Sequence, residues 1–151
     1  MNAKTATAVG YIRVSTEDQA SEGVSLDAQR EKIRAYCDLH GLHLARTSAD
    51  EGLSGKRADN RPGLQDALAA VCRAKGVVVV FSLSRLARST MDCIEITQRL
   101  EKCGADLASI TEKIDTTSSM GRFFFRLMAS LGELERDQVS ERTTAAMSQL
   151  R

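Results

Sequence analysis

Val9-Gly10-Tyr11-Ile12-Arg13-Val14-Ser15-Thr16 reads as a short buried strand that ends abruptly in polar residues. Strand alternation puts Tyr11, Arg13 and Ser15 on one face, with Gly10, Ile12 and Val14 on the other. An arginine inside an apolar strand is costly to bury unless something negative meets it. Ser15 lies on the same side two residues later, where the strand gives way to a loop. Two readings fit these residues: a satisfied arginine with a capping serine, or a hydroxyl held beside a cation. The rest of the chain has to choose between them.

Outward from this strand, polar residues Glu17 to Gly23 predict a loop. Ser25 is a suitable N-cap for a helix running to about Leu39, with Asp27 and Glu31 in its first turns. Leu26, Ile33, Tyr36 and Cys37 form its inner stripe, and Gly41 stops it. Leu42 to Ser48 reads as a second strand. Asp50 to Arg57 is a glycine-punctuated loop, but its glycine spacing is wrong for a nucleoside triphosphate site and Arg57 stands where Ser or Thr is needed.

Pro62 opens the next helix, with Leu64, Leu68 and Val71 facing inward. Val77 to Phe81 is apolar throughout, as expected of a central parallel strand. Ser89 to Cys103 is helical, carries Ile94, Ile96 and Leu100, and ends at Gly104. Ala105 to Thr111 makes a further strand. Strands alternating with helices predict an α/β fold with an open, mostly parallel sheet.

From Ser119 onward Phe124, Leu127, Met128, Leu131 and Leu134 recur at helical spacing, with Val139, Met147 and Leu150 less regular. This predicts a helix of ~30 residues, or ~45 Å. Either it folds back on the core and breaks near Gly132, or it is an arm that packs on a second subunit. The arm is the preferred reading, which divides the chain into a core of residues 1–118 and an interface helix of residues 119–151.

At 151 residues the chain is one domain with room for a real core. Its 42% hydrophobic and 27% charged residues are those of an ordinary globular protein. No apolar run approaches the ~20 residues of a membrane span, and no signal peptide opens the chain, so a cytoplasmic protein is expected. A formal net charge of +1 argues against a grip on nucleic acid through phosphate contacts alone. Basic residues are uneven, however: residues 72–91 hold Arg73, Lys75, Arg85 and Arg88 and no acid. Cys37, Cys72, Cys93 and Cys103 show no zinc spacing and read as small core residues or free thiols. His40 and His43 lack a third ligand, so no metal site is expected.

Ligands of open α/β sheets bind beyond the carboxyl ends of the strands. Ser15, the loop reaching Arg61, and Arg85 with Arg88 each follow one of the first three strands. They should converge on one edge. Both histidines lie far from there, which excludes a Ser-His-Asp triad. Guanidinium groups match phosphate oxygens bidentately and keep their charge. Several of them around a hydroxyl suit phosphoryl transfer, which is mainly positioning and charge stabilisation. The general base is not evident.

These residues resemble the serine site-specific recombinases, the resolvase and DNA invertase family, over essentially the whole chain. Tyr11-Ile12-Arg13-Val14-Ser15-Thr16 is similar to the family's nucleophile strand, and Gln19 with Leu26-Asp27-Ala28-Gln29 to the polar residues after it. Leu53-Ser54-Gly55 and Asn60-Arg61-Pro62-Gly63-Leu64 resemble its next loop, and Ser84-Arg85-Leu86-Ala87-Arg88 its paired-arginine motif. Ile114 to Phe125, Glu133-Leu134-Glu135-Arg136 and Glu141-Arg142-Thr143 are especially like the invertases. The Ala20 to Val24 loop resembles the large serine recombinases, so the subfamily stays open. Two departures stand out: Ser84 replaces the usual Asp, and no helix-turn-helix follows the long helix, as expected of the catalytic part of a longer recombinase.

The resemblance implies transesterification without metal, nucleotide or other cofactor. Ser15 attacks a phosphodiester of double-stranded DNA, leaving a 5′-phosphoserine and a free 3′-hydroxyl that later religates. Arg13, Arg61, Arg85 and Arg88 bind the phosphate, Gln19 and Gln29 orient neighbouring groups, and Tyr11 lies in the site or packs beside it. A homodimer assembling into a tetramer, through Phe124, Leu127, Met128 and Leu131 with Glu135 and Arg136, is also implied. The rival is a non-catalytic phosphate- or partner-binding module whose helix only dimerises.

Overall fold

The computed structural model describes residues 5–14, 25–51, 61–87 and 89–149, with the backbone alone for residues 51, 135–137 and 139–149. In chain order the elements are β1 (Thr7–Val14), α1 (Leu26–Leu39), β2 (His43–Glu51), α2 (Pro62–Ala74), β3 (Val77–Val80), α3 (Leu83–Leu86), α4 (Thr90–Cys103), β4 (Asp106–Ser109), β5 (Ile114–Asp115) and α5 (Ser119–Gln149). The five strands form one sheet in the order β2-β1-β3-β4-β5. Its first four strands are parallel and β5 is antiparallel to β4.

Alternation along β1 sorts the core into two layers. Val9 and Tyr11 face a cluster built with α2 and α4, including Leu64, Leu68 and Leu100. Ala8 and Ile12 face Ile33 and Cys37 of α1. All four valines of β3 are buried, as a central parallel strand requires. Ser25 and Ser89 cap α1 and α4 by accepting the amides of Ala28 and Asp92 at 3.2 and 3.1 Å. Gly63 lets α2 approach β2, because a Cβ there would stand 2.4 Å from the Ala49 carbonyl oxygen.

Several expectations need correction. β2 runs on past Ser48 to Glu51, which carries Asp50 out of the loop and into the sheet. β4 is shorter than Ala105 to Thr111, and the two-residue β5 was not anticipated. Arg73 and Lys75 sit before β3 and Arg85 after it, so the basic run is split between opposite ends of the sheet. Cys72 and Cys103, expected as free thiols, are joined by a disulfide, while Cys37 and Cys93 are free. The pairing joins the last turns of α2 and α4, and a separation of 31 residues gave it no local sign.

α5 is unbroken through Gly132, which is buried near Met91 and Ile94 of α4. Phe125 is buried on the same helix, while Phe124, Leu127 and Leu131 are exposed and Met128 is half-buried against the core. No described helix is long and apolar enough to cross a membrane. Among the described residues no three potential metal ligands gather.

Candidate active site

β1 outruns β3: their pairing stops at Tyr11 opposite Val80. Beyond that point Gln29 of α1, fully buried, serves both backbone groups of Arg13. Its Oε1 accepts the Arg13 amide at 3.3 Å and its Nε2 donates to the Arg13 carbonyl at 3.1 Å. A side-chain amide thus imitates the peptide group of a neighbouring strand. It fixes the last turn of chain before Ser15, which follows Val14 directly.

α3 is a single turn, so its carbonyls have no partners further along a helix. The Ala87 amide takes the Leu83 carbonyl at 2.9 Å. Arg13 takes the next two, Nη2 donating to Ser84 O and Nε to Arg85 O at 3.1 Å. Arg61 Nη1 takes the fourth, Leu86 O, at 2.6 Å. Arg13 therefore meets the carbonyl dipoles of this turn, and two arginines from separate segments seat the turn that carries Arg85. At the other end of α3, Glu112 Oε1 accepts the Leu83 amide at 3.2 Å, work that a cap residue usually does. Ser84, in the position of the usual acid, is exposed and places its Oγ 2.9 Å from Ser82 Oγ.

The start of α2 is organised from the sheet. Arg61 stands at the N-cap position without capping through its side chain. Asp50 of β2 substitutes for it, accepting the Gly63 amide at 2.8 Å and the Leu64 amide at 3.0 Å. The Tyr11 hydroxyl donates to the same carboxylate at 2.7 Å. Burial first, and then this bond and the Asp50 charge, push the Tyr11 phenol well above its ordinary range. Arg61 is free of capping duty and turns its guanidinium toward α4, where Nη2 meets Asp92 Oδ2 at 2.6 Å. Arg61 is 5% exposed, and its Nε is buried with no hydrogen-bond partner among the described residues.

Of the residues singled out from sequence, Tyr11, Arg13, Gln29, Arg61 and Arg85 meet at the carboxyl edge of β1 and β3. Ser15, Gln19 and Arg88 lie outside the described residues, as do the side chains of Glu135 and Arg136. Asp50, Asp92 and Glu112 escaped the sequence reading. The partners that tie them to this edge lie 13 or more residues away and include backbone groups, which leave no mark in a sequence.

Arg13 and Arg61 thus hold the turn that carries Arg85 at the carboxyl edge of β1 and β3. Comparisons with known proteins identify the family. The model of the family described as resolvase, N-terminal domain, matches residues 8–151. The chain is 41% identical over 144 residues to the DNA-invertase hin of Salmonella typhimurium, covering 95% of this chain and 68% of that protein. It is 38% identical over 142 residues to the transposon Tn917 resolvase of Enterococcus faecalis, covering 94% of this chain and 70% of the relative. Among solved structures, the N-terminal catalytic domain of TP901-1 integrase superposes with a TM-score of 0.75 at 30% identity, over 87% of this chain and 98% of that one.

Proposed function

Since this chain belongs to the resolvase and DNA-invertase family of serine site-specific recombinases, we propose that Ser15 is its nucleophile and a DNA phosphodiester its substrate. The Ser15 hydroxyl oxygen bonds to phosphorus as the bond to the 3′ oxygen breaks. The products are a 5′-phosphoserine and a 3′-hydroxyl, the proton lost by the serine being balanced by the one gained by the departing 3′ oxygen. Because the covalent link is again a phosphodiester, the reverse step rejoins a new 3′-hydroxyl without ATP or metal.

The observation that carries this reading is the seating of α3 by Arg13 and Arg61. It brings Arg85 to the edge where β1 ends at Val14, one residue before Ser15 in the sequence. Arg85 and Arg88 would bind the phosphate. Arg13 and Arg61 join them by exchanging a carbonyl or the Asp92 carboxylate for a phosphate oxygen, and charged hydrogen bonds of this kind contribute about 1.5–3 kcal/mol each. Gln29 holds the strand end that aims the hydroxyl, and Gln19 orients its surroundings.

Residues 1–118 form the cleaving core, and residues 119–151 an arm that joins two copies through Phe124, Leu127 and Leu131 with Glu135 and Arg136 near the DNA. Two such dimers make the four cuts of strand exchange on double-stranded DNA, in the cytoplasm at the nucleoid. The test is to join the chain to a DNA-binding domain of known site and incubate it with supercoiled DNA carrying paired sites. A detergent-stable protein–DNA adduct is expected, and Ser15→Ala should abolish it. An adduct that persists overturns the nucleophile. No adduct from the parent chain, with DNA still bound, favours the rival reading of a phosphate-binding module, for which Ser84 in place of the usual acid beside Arg85 is the supporting observation.

A further inference from the structure

α2 and α4 lie side by side over one face of the sheet and are tied together at both ends. At the carboxyl edge Arg61 Nη2 meets Asp92 Oδ2 at 2.6 Å. Between the helices Arg99 Nη1 donates to Gln65 Oε1 at 2.8 Å. At the far end Cys72 and Cys103 are bonded, their Cα atoms 5.4 Å apart. The step from Arg61 to Cys72 along one helix equals that from Asp92 to Cys103 along the other, about 16 Å in each case. The two ties are therefore the opposite ends of one ladder.

We propose that Cys72 and Cys103 form a reversible thiol–disulfide site that clamps α2 to α4 when oxidised and so stiffens the Arg61–Asp92 pair at the opposite end. Both sulfurs lie in half-buried residues, open to exchange with a small thiol. Cys37 and Cys93 are buried, and desolvation pushes each thiol up to about 11, which leaves little reactive thiolate near neutral pH. Oxidation is thus directed to one pair. The Cys103 sulfur stands 3.3 Å from the Leu100 carbonyl oxygen, an acceptor for the thiol proton that reduction would place there.

The reaction partner is a small-molecule disulfide such as oxidised glutathione. The two protein thiols give up two protons and two electrons. One sulfur–sulfur bond forms in the protein while that of glutathione splits into two thiols. The site itself does not depend on the cleavage chemistry. Its bearing on catalysis rests on reading Arg61 as a phosphate ligand.

The full chain is equilibrated with oxidised or with reduced glutathione, alkylated, and mapped by mass spectrometry. Oxidised protein should carry the Cys72–Cys103 link and two alkylated thiols, and reduced protein four. The link closes a long loop, so Tm should rise by roughly 5–10 °C on oxidation. Amide exchange in the first turns of α2 and α4 should slow at least threefold. Cys72→Ser/Cys103→Ser should ignore glutathione and match the reduced protein. Failure to form the link under oxidised glutathione overturns the site. A link that leaves exchange near Arg61 and Asp92 unchanged overturns the clamp. No arm uses DNA, so either failure is distinct from failure of the adduct experiment.

Discussion

At the carboxyl edge of the sheet Arg61, Asp50 and Gln29 are each 5% exposed or less, whereas on α5 Met120, Phe123, Leu131 and Leu134 are all more than half exposed. One region hides polar groups and the other displays apolar ones. A buried charge or amide persists only where partners repay its desolvation. Here the partners are carbonyls of a one-turn helix, a strand end and a carboxylate. An apolar row in water has no such compensation within the chain, and rows of this kind mark surfaces that another molecule covers. The first region satisfies most of its polar groups from within the chain, the Arg61 Nε excepted. The second would be completed by the second copy that the proposed arm joins.

The sharpest way to break this contrast is to remove one partner of the buried pair. Asp92→Ala leaves the Arg61 guanidinium without its carboxylate, and should cost about 3 kcal/mol of unfolding free energy. Urea denaturation with an unchanged m-value would show it. A loss under 1 kcal/mol would mean that Arg61 has other support. Gln29→Ala strands both backbone groups of Arg13 and should cost about 2 kcal/mol by the same measurement.

Tyr11→Phe removes one bond to Asp50 and should cost about 1 kcal/mol at neutral pH. It should also change the alkaline limb. Native Tyr11 keeps its proton above pH ~10, where the unfolded phenol loses it, so the unfolded state binds fewer protons and stability falls as pH rises. The slope approaches about 1.4 kcal/mol per pH unit for this one group. The phenylalanine variant should show a correspondingly flatter decline between pH 10 and 11.

Leu131→Glu should have the smallest effect on the folded monomer, within about 0.5 kcal/mol. Light scattering should nevertheless show weaker self-association. Destabilisation comparable to Gln29→Ala would show that this face is already covered by the chain itself.

What was legible in the sequence was local. Ser25 and Ser89 announce helix starts because a hydroxyl beside free amides acts over three residues, and Val77 to Val80 announces a central strand because both faces are apolar. Convergence of Arg61 and Arg85 on the edge where β1 ends followed from placing each after a parallel strand. The cementing contacts did not follow. Carbonyls of Ser84, Arg85 and Leu86 carry no residue identity, so nothing in the letters says that two arginines will claim them. Asp50 looked like part of a loop because its clients, the Gly63 and Leu64 amides, exist only once α2 has docked. β5, two residues long, is defined by its neighbour and not by its own pattern.

α5 begins where Gly121 passes over β5, and a Cβ at that position would stand 1.7 Å from the Asp115 carbonyl oxygen. The helix that rises from this foothold is 31 residues long, about 46 Å. Any larger residue there must prise the foot outward. Over that length a tilt of about 5° carries the tip roughly 4 Å sideways. The bearing of the rod thus depends on clearance around a single hydrogen atom at its base, together with its contacts along α4.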